Sequence, residues 1–122
     1  TYSGANMPLF MLKGDIMKEV KPTNQAIGYS AFFRKARENL TFENNTIKLE
    51  EDVSYYMTTD GIIDQFDQYN KEKFGKARFL ELLTRTSKQD MNSQKQEIIS
   101  DLNKWRGETA QTDDVSVVGF RV

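Results

Sequence analysis

Asp60, Asp113 and Asp114 are the acidic residues of this 122-residue chain whose setting could support chemistry. Each lies beside a run of strong β-forming character. VSYYMTT over 53–59 leads straight into Asp60-Gly61, and Asp113-Asp114 leads straight into VSVVGFRV over 115–122. If the two runs lie antiparallel and close together in one sheet, the end of the first sits beside the start of the second. Three carboxylates then gather at one sheet edge and repel each other unless a cation holds them. Oxygen donors without imidazole or thiolate suit Mg²⁺ or Mn²⁺ better than Zn²⁺. Gly61 suits such a place, because a missing side chain lets backbone approach an ion or a second strand. Asp-Gly after a strand is also an ordinary turn, and Asp-Asp before one an ordinary solvated loop, so the residues alone leave both readings open.

Composition removes the competing chemistries. The chain has no Cys and no His. That excludes a disulfide framework, a thiolate zinc site, a cysteine nucleophile, an imidazole base and a Ser-His-Asp triad. Seventeen basic residues against eighteen acidic ones give a net charge of −1, so nothing global draws the chain to nucleic acid or anionic lipid. No apolar run approaches the length of a membrane span, and the start carries no signal pattern, so direct membrane insertion by this segment is not expected. The absence of cysteine agrees with a reducing compartment, and a cytoplasmic location is expected. With 38% hydrophobic residues, eight Phe, five Tyr and one Trp, the chain can build a core, and a single unit over residues 1–122 is expected. It begins with Thr1 in text that already reads as structured protein, which suggests a piece of a longer chain.

The elements that must hold the acids follow from pattern. Apolar runs at Leu9–Leu12 and Ile16–Val20 around Lys13-Gly14-Asp15 predict a hairpin, with Pro8 tolerated at its start. Pro22–Tyr29 reads as irregular, and Ser30–Asn45 as loop with at most one strand. Thr46–Leu49 and Val53–Thr58 predict strands around the acidic turn Glu50-Glu51-Asp52. Ile62–Phe66 predicts a short helix, and Lys76–Thr86 a longer one with Phe79, Leu82 and Leu83 on its apolar stripe. Met91–Arg106 predicts a third, with Ser93 and Gln96 as a capping box, Ile98, Ile99, Leu102 and Trp105 on one face, and Gly107 as its stop. Strands in a run followed by helices in a run favour α+β over a doubly wound sheet.

Weaker motifs do not compete. Counted from Asp64, the acidic stretch to Glu72 puts Phe66 at the third ligand position of a calcium loop and no Gly at the sixth, so it is a solvated loop. The sequons at Asn39 and Asn44 are chance matches in a chain with no sign of secretion, and Arg34, Lys35 and Arg37 read as a wet face.

The acids also sit in recognisable wording. SGANMPLFML, QAIGY, YYMTTDGIIDQF, FGKARFLELL and QTDDVSVVGFRV, in this order and spacing, resemble the C-terminal part of the metal-dependent protein phosphatases. These form the protein phosphatase 2C, or PPM, family, and the branch resembled is the bacterial SpoIIE-like one. The resemblance covers nearly the whole chain. It implies part of a β-sandwich flanked by helices, with the N-terminal portion absent. It also implies two Mn²⁺ or Mg²⁺ ions in the complete domain, and a metal-activated water that hydrolyses phosphoserine or phosphothreonine. Asp60 then matches the aspartate of the TDG motif and Asp113 the first aspartate of the terminal pair, both metal ligands in the family. Asp114 supports the metal site, Gly61 keeps its geometry, and no catalytic residue beyond the metal-site aspartates is implied.

The family pattern also has an earlier aspartate that bridges the metals, in a GD-like segment followed by a glycine- and histidine-rich helix start, and these 122 residues, with Gly14-Asp15 in a hairpin turn and no His, contain no such combination. The piece alone is therefore expected to be inactive and to associate with itself through its unfinished sandwich. Smaller departures are Glu51 where Gly is common and Ser116 where Thr is common. The implied partner is a phosphorylated regulatory protein in bacterial signalling, an anti-sigma-factor antagonist being one candidate, with the domain as cytoplasmic output of a larger sensor. Two rival readings are a non-catalytic pseudophosphatase that relays signals and a mononuclear metal-binding domain of another kind.

Overall fold

A computed structural model describes residues 1–24, 27 and 41–122. The expectations for QAIGY, for most of Ser30–Asn45, for Arg34, Lys35 and Arg37 and for the Asn39 sequon fall largely outside the described residues. The architecture is α+β, as its pattern of strands and helices predicts. In chain order the elements are β1 (Leu9–Lys13), β2 (Ile16–Val20), β3 (Val53–Thr58), α1 (Gly61–Asp64), α2 (Gly75–Thr86), α3 (Met91–Arg106) and β4 (Val117–Arg121). The four strands form one antiparallel sheet in the order β2-β1-β3-β4.

β3 is buried on both faces, so its two tyrosines serve two different layers. Tyr56 points with Phe10 and Leu12 into the main core, where Ile62, Phe74, Phe79, Leu82, Leu83 and Ile98 close over them from the helices. Tyr55 points the other way with Leu9 and Val53, and is covered by Tyr2, Met57 and Ile47. The Phe120 ring of β4 stacks on Tyr55 at 5.1 Å between centroids.

Four local expectations are corrected. Thr46–Leu49 is not a strand. β1 and β3 already have partners on both edges, so this segment crosses the sheet face with Ile47 packed on the Tyr55 cluster. Its flanks are held by Asn45, whose backbone pairs with that of Tyr2, and by the Tyr55 hydroxyl, which accepts the Glu50 N–H at 3.0 Å. The short helix spans Gly61–Asp64 rather than Ile62–Phe66, because Gln65 turns extended and spends its polar groups on other segments. α3 is capped by Asp90, not by a Ser93/Gln96 box: the Asp90 carboxylate accepts the Asn92 and Ser93 N–H groups at 3.0 Å and the Ser93 hydroxyl at 2.6 Å. Finally, Ile99 is exposed. The buried stripe of α3 runs through Ile98, Leu102 and Trp105, spaced i, i+4 and i+7, and Ile99 lies one step round the helix.

Candidate functional site

β3 and β4 pair antiparallel with Thr58 opposite Val117, so the residues after β3 run beside the residues before β4. This brings Thr59-Asp60-Gly61 against Asp113–Ser116. The seam between them is made of hydrogen bonds. The Thr59 N–H donates to the Ser116 carbonyl at 3.0 Å, the Thr59 hydroxyl donates to the Asp114 carbonyl at 3.0 Å, and its oxygen accepts the Ser116 N–H at 2.9 Å. Thr58 adds a hydroxyl bond to the Ser116 carbonyl at 3.1 Å. A threonine side chain thus stands in for the ladder where the sheet ends, and the β3 chain is free to turn into α1.

Gly61 sits buried in this seam. A Cβ built on it would lie 2.2 Å from the Asp114 carbonyl oxygen and 3.2 Å from that of Asp113. No side chain fits there, so the expectation of a close backbone approach has a specific object: the Asp113-Asp114 main chain. Asp60, immediately before, is the N-cap position of α1, and its carbonyl accepts the Asp64 N–H at 2.8 Å.

All three candidate acids are exposed. Asp113 turns one carboxylate oxygen onto the Asp114 N–H at 2.7 Å, while the Gln111 side-chain amide donates to the Asp113 carbonyl at 2.8 Å. The seam joins the backbones of the three residues. Their carboxylates do not form a nest: among the described residues, no group of three or more acidic side chains lies close enough to hold a metal ion. The donor chemistry, carboxylates and hydroxyls without imidazole or thiolate, fits Mg²⁺ or Mn²⁺, and these residues can supply part of a ligand set.

Two residues that hold the seam are given no role by the motifs they sit in. One is Thr59, the threonine of the TDG motif. The other is Gln65, fully buried at the end of α1. Its side-chain NH₂ donates to the carbonyls of Phe66 and Ala110 at 3.1 Å, and its side-chain oxygen accepts the Thr112 N–H at 3.1 Å. Its own carbonyl accepts the Trp105 indole N–H at 3.1 Å and the Phe74 N–H at 2.8 Å. The available signal is its spacing of three from the buried Ile62, which puts an amide on an apolar helical face. Next along the chain, Asp67 is held below the usual carboxylate range by the Lys71 N–H at 2.7 Å and then the Glu72 N–H at 3.3 Å. Asp64–Glu72 is therefore a self-capped loop, in keeping with the rejected calcium reading.

A family model, stage II sporulation protein E (SpoIIE), matches residues 1–122. Among solved structures, the SiaA-PP2C domain of Pseudomonas aeruginosa superposes with a TM-score of 0.81 at 26% identity, covering 97% of this chain and 44% of that chain. The chain thus spans less than half the length of that structure. No curated protein matches the chain.

Proposed function

The chain belongs to the SpoIIE family of PP2C-like phosphatases, and we propose that it is the C-terminal part of a domain that hydrolyses phosphoserine or phosphothreonine on a regulatory protein. The observation that carries this reading is the β3–β4 seam, which sets Asp60 beside Asp113-Asp114 with Gly61 seated on their main chain. Asp60 and Asp113 would hold the divalent cations, and Asp114 would support them. Bound Mn²⁺ or Mg²⁺ would neutralise the phosphate and lower the pKa of the attacking water. The chain's own contribution is placement. Thr59 and Gly61 lock the two acidic segments in register, and the exposure of the acids leaves them open to a phosphoprotein. The substrate proposed is a bacterial signalling protein such as an anti-sigma-factor antagonist, met in the cytoplasm by the output domain of a larger sensor. Val118, Phe120 and Val122, exposed along the outer strand, favour self-association of the 122-residue piece.

The test is Mn²⁺-dependent hydrolysis of a phosphoserine peptide by the full-length protein that carries this segment. Asp60→Asn and Asp113→Asn should each lower turnover by more than about 100-fold, beyond the cost of losing an outer-shell partner. Undiminished turnover in either variant overturns the role assigned. A full-length protein that binds neither Mn²⁺ nor Mg²⁺ would instead support the rival reading, a non-catalytic relay module.

A further inference from the structure

The geometry points to Gln65 as the positioning residue of the site, a buried clamp that sets where Asp113 stands relative to Asp60. The inference rests on the phosphatase reading and names a residue to which that reading gives no role. Among the described residues, the segment from the end of α3 to β4 has no ladder partner before Ser116, so other contacts fix the approach to Asp113. Gln65 does so from inside. Its amide bonds the carbonyl of Ala110 and the N–H of Thr112, the two residues flanking Gln111, as a neighbouring strand would, and Asp113 follows directly.

Every polar atom of that amide is engaged, and the side chain is fully buried. The position is therefore specified rather than merely permitted. Downstream, Thr59 pins Asp114 and Ser116. Thr59 at the β3–α1 junction and Gln65 at the C-terminal end of α1 bracket Asp60, so the stretch 59–65 carries the first acid and fixes the second.

The clamp acts on ligand placement, so its loss should weaken cation binding more than substrate recognition. Two variants separate shape from bonding. Gln65→Met keeps the length and loses all three side-chain bonds. Gln65→Asn keeps the amide and retracts it by one methylene.

In the full-length protein, Mn²⁺ binding followed through the electron paramagnetic resonance signal of the free ion should weaken about 10- to 100-fold in each. The KM for p-nitrophenyl phosphate at saturating Mn²⁺ should change less than about 3-fold, within the spread of single contacts. Amide exchange should accelerate at Thr112 and Asp114 while the β1–β3 ladder stays protected. Wild-type Mn²⁺ affinity in a variant whose circular dichroism is native overturns the proposal. So does unaltered exchange at Thr112.

Should neither variant fold, the wild-type protein still decides. Its Thr112 amide and Gln65 side-chain protons should exchange slowly although Thr112 is exposed, and fast exchange overturns the clamp. Failure of the phosphatase reading looks different: the wild type itself then binds no Mn²⁺, whatever the exchange pattern at residue 112.

Discussion

The seam between β3 and β4 and the layer of α2 and α3 are built on opposite principles. The helical layer is held by area: Phe79, Leu82, Leu83 and Ile98 are buried against Phe10, Leu12 and Tyr56, and the Phe10 and Phe79 rings meet edge-on at 6.3 Å. One polar thread crosses it. The Tyr56 hydroxyl donates to the Gln94 side-chain oxygen at 3.0 Å, and the Gln94 NH₂ donates to the Thr86 hydroxyl at 2.8 Å. The seam buries almost no large apolar side chain. It is held by hydrogen bonds from Thr59 and Gln65 and by the absence of one Cβ at Gly61. Area is forgiving of small shifts, because dispersion contacts are many and individually weak. Hydrogen bonds, and a main-chain packing at Gly61 that leaves no room for a Cβ, are not. Nondirectional stabilisation is concentrated in the helical layer, and directional contacts in the seam that carries Asp60 and Asp113.

Substitutions that separate stability from placement can break this contrast. Phe79→Ala should have the largest effect on stability, about 3–5 kcal/mol in urea unfolding. Its folded fraction should keep the seam and normal turnover in the full-length protein. Gly61→Ala should cost less stability, roughly 1–3 kcal/mol, because only one segment must move. It should cost far more activity, on the order of 100-fold, since a displacement near 1 Å of a reacting group has about that effect. If Phe79→Ala lost more specific activity than Gly61→Ala, the division between a holding layer and a placing seam would be wrong.

The two regions also differed in how much of them could be read from residues. The helices are written in repeated spacing: Phe79, Leu82 and Leu83 predict α2 to within one residue, and α3 has the expected bounds. The hairpin follows from two apolar runs around the Lys13-Gly14-Asp15 turn, and β3 from its run of strong β formers. Thr46–Leu49 misled because β propensity does not reveal that neither inner strand has a free edge, a property of topology rather than of the segment. The cap at Asp90 was hidden behind a Ser-x-x-Gln spacing one turn too late. At the site, Asp60, Gly61 and Asp113-Asp114 stood out as motifs beside strong strands. Thr59 and Gln65 lie in the same wording without a legible role, because their bonds run to main-chain atoms 45 to 57 residues away, which no local pattern encodes.

The smallest expected effect lies at the corner between α2 and α3, where the helical layer borrows the method of the seam. Asp90 caps α3 with a carboxylate held below its usual range, first by the Ser93 hydroxyl and then by the Ser93 N–H. A carboxyl whose folded pKa is depressed adds stability above its unfolded pKa, near 3.9, and loses it as pH falls through the lower folded value. Thermal unfolding of wild type and Asp90→Ala should therefore differ most above about pH 5 and converge in more acidic solution. Turnover measured near neutrality should stay the same, because the cap lies at the far end of the sheet, where Arg121 of β4 donates to the Ser87 and Gln89 carbonyls. A difference in melting temperature that persists undiminished at low pH would mean that the Asp90 charge contributes nothing. A loss of turnover would mean that this corner and the seam are coupled, and that the helical layer places the acids as well as holding the fold.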